Sequence, residues 1–165
     1  MPKPRSMPFY LKPAAWVISS RYGGPVFIKL ATPVDRWLIP ATNGRLSVLV
    51  GQPVLVLEMV GAKSGKRRRI PLVHMRDGDR VILVASFVGK PRNPAWYHNL
   101  KANPRVKLFL KGRTGYYTAE EATGAERERL WADITAVYPG YAKYQARTGG
   151  RAIPLMILTP EPSPA

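Results

Sequence analysis

The residues best suited to chemistry lie in a short basic turn that begins at Gly61. Five cations fall within seven residues, from Lys63 to Arg69, and apolar runs on both sides indicate that the turn joins two strands. The N–H groups of a glycine turn, the Ser64 hydroxyl, the Lys63 ammonium and the Arg68 guanidinium can converge on one anion. An ordinary charged hairpin loop is the alternative interpretation of the same residues.

The turn differs from the P-loop of nucleotide-binding proteins in three respects. Three residues rather than four separate Gly61 from Gly65, Arg67 rather than Ser or Thr follows Lys66, and the chain continues as a strand instead of a helix. The sequence therefore excludes that motif and leaves a phosphate-binding turn of another kind.

The distribution of charge supports an anionic ligand. The chain of 165 residues has a formal net charge of +16, of which residues 51–118 carry +11 and residues 119–165 carry −1. A phosphorylated or polycarboxylate ligand, nucleic acid and an anionic membrane surface are the candidate partners. Nucleic acid is disfavoured, because the cations cluster in one turn instead of alternating with exposed aromatic residues along a sheet.

Side chains for acid–base or metal chemistry are scarce. Cysteine is absent and only His74 and His98 are present, so thiol chemistry is excluded and no metal site is expected. The sequence contains no paired carboxylates and no nucleophile beside a base, and both histidines are assigned to packing or hydrogen bonding. An enzyme with this composition needs a cofactor for its chemistry.

The elements that must position the turn are mostly strands. Apolar alternation and turn residues predict strands at 46–50, 54–60, 69–75, 80–86, 105–111, 115–118 and 153–159. Asp77-Gly78-Asp79 predicts a hairpin turn. These short strands predict an antiparallel sheet that closes into a small barrel with peripheral helices, because an open sheet would leave exposed edges.

Helical segments are predicted on both sides of this sheet region. Asn93-Pro94 predicts a short helix with Asn93 as N-cap, and Thr123 with Glu126 forms a capping box before a second helix. That second helix is predicted to bury Leu130, Trp131, Ile134 and Val137. Pro139-Gly140 should end it, and Tyr138, Tyr141 and Tyr144 follow on one helical face.

The first 43 residues are predicted to form an arm with one amphipathic helix, followed by a barrel domain over 44–165. Within 25–39 an apolar face is predicted from Phe27, Leu30, Val34, Trp37 and Leu38. This face either packs on the barrel or lies at a membrane interface with Trp37 and the cations as anchors. No transmembrane helix or secretory signal is recognised, so a cytoplasmic protein is expected, with the inner face of the plasma membrane as the alternative.

Four motifs together resemble the deazaflavin-dependent nitroreductase and quinone reductase family of actinobacteria. They are the basic turn to Leu72, Val84-Ala85-Ser86, the stretch 93–106, and the tyrosines at 138–144 with Arg151-Ala152-Ile153-Pro154. The resemblance covers roughly residues 44–159. It implies a split β-barrel of the FMN-binding type and coenzyme F420, an 8-hydroxy-5-deazaflavin with a phosphate and an oligoglutamate tail. The acidic tail agrees with the charge of the turn.

The resemblance also implies roles for individual residues. Lys63, Ser64 and Arg68 match contacts to the phosphate and tail, and the tyrosine at 141 matches one that closes the site over the ring. Tyr138 and Tyr144 match its neighbours in the substrate pocket, and a hydroxyl of Tyr141 or Tyr138 protonates the reduced acceptor in the expected mechanism. The remaining cofactor contacts are matched by Arg69, Ile70, Pro71, Leu72, Val73, Ala85, Ser86, Phe87, Trp96 and Asn99. Without the resemblance, the tyrosines would be assigned to the core.

The expected reaction is hydride transfer from reduced F420 to a quinone such as menaquinone, a nitroaromatic compound or another hydrophobic unsaturated acceptor. Val73 and Phe87-Val88 differ from residues of the nitroimidazole-activating relatives, which weakens the expectation of nitro reduction. A split barrel that binds FMN or a lipid-like ligand without F420 turnover is the alternative. Peripheral membrane contact is a further expectation, nucleic-acid binding is not expected, and the oligomeric state is left open.

Overall fold

The structure, a computed structural model, describes residues 33–42, 44, 46–48 and 53–162. The described part of the chain contains seven strands: β1 (Val54–Val60), β2 (Arg67–Val73), β3 (Met75–Asp77), β4 (Arg80–Val84), β5 (Arg105–Leu110), β6 (Arg113–Glu121) and β7 (Leu155–Pro160). The helices are α1 (33–41), α2 (Ala95–Ala102), α3 (Gly124–Val137) and α4 (Gly140–Arg147), and Phe87–Gly89 forms a 3-10 turn.

The strands form one antiparallel sheet in the order β2-β1-β5-β6-β7-β4-β3. The two end strands, β2 and β3, are consecutive in sequence and are joined by His74 alone. A flat sheet would separate its end strands by roughly 29 Å, whereas a one-residue link spans at most about 7 Å. The sheet therefore curls until its two ends meet at His74, which confirms the predicted barrel.

Alternation along β1 explains how the barrel is filled. Leu55, Leu57 and Met59 point into the main core, whereas Val54 and Val56 point to the outer face. Both sets are buried, as the unbroken apolar run predicts. The largest fully buried side chains of the interior also include Leu83, Leu100, Leu108, Leu110 and Tyr117.

Two of the predicted strands differ from the structure. The strand predicted at 69–75 is divided, because β2 ends at Val73 and the chain turns at His74 into β3. Residues 46–48 are not part of a strand, and positions 49 and 50 of that prediction lie outside the described residues. The other strands and the turn at Gly78 are confirmed, with shifts of one to three residues at most of their ends.

The helix caps were predicted less accurately than the helices. Pro94, not Asn93, is the N-cap of α2, because the Asn93 side chain accepts a hydrogen bond from Arg151 Nη1 at 2.6 Å. Thr123 is the N-cap of α3, but its side chain makes no capping hydrogen bond. Leu130 and Ile134 are buried as predicted, whereas Val137 at the end of α3 is 61% exposed.

Helix α1 packs on the outer face of the sheet through other residues than those predicted. Ile39 is buried against Val54, Val56 and Phe109, whereas Trp37 is 67% exposed. Val34 is half exposed, and the predicted contacts of Phe27 and Leu30 lie outside the described residues. The alternative in which Val34 and Trp37 pack on the barrel is therefore wrong, because the helix docks through Asp35 and Ile39 instead.

Candidate functional site

The basic turn is closed by its own backbone. The N–H of Gly61 donates to Lys66 O at 2.9 Å, and the N–H of Gly65 donates to Gly61 O at 2.8 Å. Gly65 has a φ of 62°, in the left-handed region that glycine tolerates best. The turn thus connects β1 and β2 as a tight hairpin, with Val60 opposite Arg67.

Two of the predicted anion ligands meet above Gly61. The Arg68 Nη2 atom donates to the Ser64 hydroxyl at 3.4 Å. A Cβ atom on Gly61 would lie 2.6 Å from Ser64 Oγ and 3.1 Å from Arg68 Nε. A side chain at position 61 would therefore push the Ser64 and Arg68 side chains aside, whereas glycine leaves room for both.

Beside the turn lies a cleft of about 560 Å³ between α1, β2 and α2. Its lining combines arginines with apolar and aromatic side chains. The lining residues are Arg36, Trp37, Glu58, Met59, Arg67, Arg68, Arg69, Ile70, Ala95, Trp96 and Asn99. Five of the predicted cofactor residues, Arg68 to Ile70 with Trp96 and Asn99, therefore share one cavity.

The cations at this cleft have little internal compensation. Among the described residues, Arg69 alone of these cations forms an ion pair, at 2.6 Å between its Nε and Glu58 Oε2. Within the part of the chain that the structure describes, no ion pair involves Lys63, Lys66, Arg67 or Arg68. Like charges this close repel one another, so an anionic ligand would relieve the repulsion.

Helix α2 holds the turn in place. The Ala62 N–H donates to Asn99 Oδ1 at 3.0 Å, and Asn103 Nδ2 donates to Val60 O at 3.4 Å. The helix itself is fixed by buried Leu100 and by hydrogen bonds from Tyr97 and Lys101 to Glu121, at 2.9 and 3.0 Å. Asn99 thus orients the turn through its Oδ1 atom while also lining the cleft.

Strand β2 runs from the cleft to a second cavity and contributes lining residues to both. Among the described strands it pairs with β1 alone, so the backbone groups along its other edge have no partner in the sheet. Arg69 and Ile70 line the cleft, Pro71 is buried, and Leu72 packs against the main core. Val73 reaches the second cavity, about 10 Å from Ile70 at the rise of an extended strand.

The second cavity lies at the seam between β2 and β3 and is lined by two of the three predicted tyrosines, Tyr138 and Tyr141. It measures about 10 Å³, roughly the space of one water molecule. Its lining residues are Val73, His74, Met75, Ile82, Val84, Ile134, Tyr138 and Tyr141. The structure therefore places the tyrosines and the basic turn at opposite ends of β2 and not in one cavity.

The three tyrosines contact one another edge to face. Ring centroids are 6.2 Å apart for Tyr138 and Tyr141, and 6.0 Å apart for Tyr141 and Tyr144. Burial, with smaller contributions from the two neighbouring tyrosines, raises the pKa of Tyr141 to about 12. Burial also raises the pKa of Tyr138. The hydroxyl of Tyr141 therefore remains a hydrogen-bond donor at neutral pH.

The segment with Ala85, Ser86 and Phe87 forms a constrained loop near α4. Ala85 is fully buried, and Phe87 and Val88 have φ angles of 47° and 57°, which are unfavourable for residues with a Cβ atom. Arg151 holds this loop by donating to Lys90 O at 2.9 Å and to Ser86 O at 3.3 Å. Burial places the Ala85 side chain in the core, away from both cavities.

His74 is a cavity residue that the sequence analysis assigned to packing. Its ring lies at the seam beside Tyr138 and Tyr141, and its Nδ1 atom is buried without a hydrogen-bond partner. Arg36, Trp37, Glu58, Met59, Arg67 and Ala95 are further lining residues that were not predicted. A signal was available only for His74, which interrupts an otherwise apolar strand.

We expect the stability of the protein to fall as the pH falls from about 7.5 to about 5, because His74 resists protonation. Burial, helped by the charge of Arg76, lowers the pKa of His74 from 6.5 to about 4. The unfolded chain binds a proton below about pH 6.5 while the folded chain does not, so the free energy of unfolding decreases by about 2 kcal/mol. Urea unfolding at the two pH values measures this difference.

Two variants separate this effect from other titrations. In His74→Asn the decrease should become smaller by about 2 kcal/mol, whereas His98→Asn, on the exposed face of α2, should keep it. A His74→Asn protein with the same pH dependence as the unmodified chain would show that His74 is not responsible.

Residues 35–160 match the family model described as F420H(2)-dependent quinone reductase. An F420H(2)-dependent quinone reductase of Mycobacterium tuberculosis is 39% identical over 144 residues, which cover 84% of this chain and 93% of the relative. The family match extends across the turn, the cleft and the tyrosine cavity.

Solved structures show the same fold. The structure of an F420-H2 dependent reductase (FDR-A) is 40% identical, with a TM-score of 0.59 over 64% of this chain and 93% of the other. The heme storage protein HutZ of Vibrio cholerae, at 13% identity, has a TM-score of 0.51 over 68% of this chain and 84% of its own. These neighbours have split β-barrels of the FMN-binding type, which confirms the predicted fold class.

Proposed function

This chain belongs to the F420H(2)-dependent quinone reductase family, and we propose that its cleft binds coenzyme F420 while its tyrosine cavity receives the quinone. Members of this family are oxidoreductases that use reduced F420 as the donor and a quinone as the acceptor. The bound deazaflavin supplies a hydride to the acceptor, and the protein supplies binding, orientation and proton donors.

The observation that carries the cofactor assignment is the group of cations without carboxylate partners at the turn. Lys63, Ser64 and Arg68 are proposed to bind the phosphate and the first carboxylates of the tail, with Lys66 and Arg67 adding to the positive field. The donor set fits this ligand, because guanidinium, ammonium and hydroxyl groups can all donate to an anion and, among the described residues, Lys63 and Arg68 pair with no carboxylate. Glycine at 61 leaves these donors accessible.

The deazaflavin ring is proposed to lie along the open edge of β2, from Arg69 towards Val73. Backbone groups on this edge have no strand partner among the described residues, so they are available to a heterocycle with donors and acceptors. Trp96 and Asn99 complete the site from α2. Ser86 and Phe87, with the backbone of Ala85, are proposed to bound the far end of the ring.

At the other end of β2, Tyr141 and Tyr138 are proposed to donate a proton or hydrogen bond to the reduced quinone oxygen. The raised pKa of Tyr141, about 12, keeps its hydroxyl protonated in the buried cavity. Tyr144 is proposed to shape the pocket beside them through its ring contact with Tyr141. His74 contributes an unpaired Nδ1 atom to the same lining.

The acceptor is proposed to be a hydrophobic quinone such as menaquinone, and nitroaromatic compounds are proposed as secondary acceptors. Peripheral membrane contact at the cytoplasmic face would give access to such a quinone, and the exposed side chains of Val34 and Leu46 support it. Within the described residues, no helix is long and apolar enough to cross a bilayer.

Spectroscopic titration of the purified protein with F420 and with FMN tests the proposal, followed by turnover with a menaquinone analogue. We expect saturable F420 binding, much weaker FMN binding, and quinone-dependent oxidation of reduced F420. A protein that is yellow as purified and retains FMN would favour the alternative cofactor. F420 binding without oxidation in the presence of any quinone would favour a binding role instead.

A further inference from the structure

Helix α1 forms one wall of the cleft, although the sequence assigned it to a separate arm. Arg36 and Trp37 project into the same cavity as Arg67 and Arg68 of β2. Arg36 is exposed and belongs to none of the ion pairs among the described residues, whereas Arg69 beside it is engaged by Glu58. The cleft therefore presents arginine side chains from two directions, α1 and β2.

This wall is fixed to the barrel at three points. Asp35 is fully buried and accepts hydrogen bonds from Ser47 Oγ at 2.8 Å and from Val48 N at 2.7 Å. Ile39 packs in the cluster on the outer face of the sheet. Gly44 lies so close to β5 that a Cβ atom there would be 2.2 Å from Leu110 O. The backbone of α1 is consequently fixed on the barrel next to the cleft, and with it the positions from which Arg36 and Trp37 project.

The Trp37 ring contacts the Arg69 guanidinium and also lines the cleft. The Arg69 guanidinium lies 5.7 Å from the Trp37 ring centroid and 5.3 Å from that of Phe109. The ion pair with Glu58 fixes the same guanidinium, so the indole rests on an ordered support. Because Arg69 is occupied in this way, the charge available to a ligand from the α1 side belongs to Arg36.

We propose that Arg36 binds a carboxylate of the acidic tail of the cofactor and that Trp37 forms the apolar wall beside it. The inference rests on the proposed function, since it takes F420 as the occupant of the cleft. The turn residues Lys63, Ser64 and Arg68 hold the near end of the tail, and Arg36 holds a later carboxylate across the cleft. Helix α1 is therefore part of the binding site and makes affinity depend on tail length.

The test compares Arg36→Ala with the unmodified protein by fluorescence titration with two ligands. One ligand is oxidised F420 with its oligoglutamate tail, and the other is the same deazaflavin riboside without phosphate and glutamates. We expect Arg36→Ala to weaken F420 binding by 5- to 10-fold, an effect that added salt reduces, and to change binding of the tail-less compound by less than 2-fold. Lys111→Ala, an equal charge change at the β5–β6 turn, should alter neither.

The result that overturns the inference is an unchanged F420 affinity in Arg36→Ala, or an equal loss for both ligands, which would indicate a general disturbance of the cleft. A matched Trp37→Ala titration provides a second measurement. We expect it to weaken binding of tailed F420, and no weakening would remove Trp37 from the site. If the unmodified protein binds no F420, the proposed function fails as well, and the unmodified titration alone shows this.

Discussion

Replacing Lys63 and Arg68 together by alanine is expected to weaken F420 binding by roughly 100-fold. Each residue contributes a charge-assisted contact worth about 1.5 kcal/mol to an anionic ligand, and about 1.4 kcal/mol corresponds to a factor of ten. The loss should be smaller at high ionic strength, because both residues are exposed and screened by salt. Fluorescence titration of the double variant at two salt concentrations measures it.

The matched control for this double variant is Lys111→Ala with Arg113→Ala. It removes two positive charges from the exposed end of the β5–β6 hairpin, away from the cleft. A comparable loss in the control would attribute the effect to the general field of the protein, whose net charge is +16. An unchanged affinity in Lys63→Ala/Arg68→Ala would refute the assignment of the turn to the cofactor tail.

Replacing Tyr141 by phenylalanine is expected to lower kcat for quinone reduction by one to two orders of magnitude while changing F420 affinity by less than about 3-fold. A positioned proton donor in a closed site contributes about this much or more to a rate. The tyrosine lies in the seam cavity and not in the cleft, so cofactor binding should be largely retained. Steady-state turnover and an F420 titration separate the two quantities.

The pH dependence of kcat and the effect of replacing a neighbouring tyrosine give two further expectations for the role of Tyr141. Because burial raises the pKa of Tyr141 to about 12, its ionisation should not reduce the rate below about pH 10. Tyr144→Phe keeps the ring contact with Tyr141 and should have a smaller effect. An unchanged kcat in Tyr141→Phe would assign protonation to water or to Tyr138.

Local patterns predicted the strands and the turn because both depend on neighbours in sequence. The apolar run of β1, the Asp-Gly turn before β4 and the glycines at 61 and 65 each fix a conformation within a few residues. The convergence of Ser64 and Arg68 above Gly61 follows from that hairpin geometry.

The parts that were predicted incorrectly depend on contacts distant in sequence. Trp37 is exposed because α1 docks through Asp35 and Ile39, and a buried aspartate cannot be recognised from hydrophobic periodicity. The break at His74 is imposed by closure of the barrel and not by a turn residue. Asn93 is unavailable as a cap because its side-chain oxygen accepts a hydrogen bond from Arg151, 58 residues later.

Strands β2 and β3 are joined at His74 but share no ladder hydrogen bonds, so the seam between them is the place where the barrel separates most easily. Widening the seam between β2 and β3 breaks no ladder hydrogen bond of the described sheet, whereas separating any other adjacent pair of strands breaks several. Expansion is therefore least costly along the seam that Val73, His74 and Met75 line. The seam without ladder hydrogen bonds coincides with the tyrosine cavity, so we expect a bulkier molecule to enlarge this cavity at less cost than it would elsewhere in the barrel.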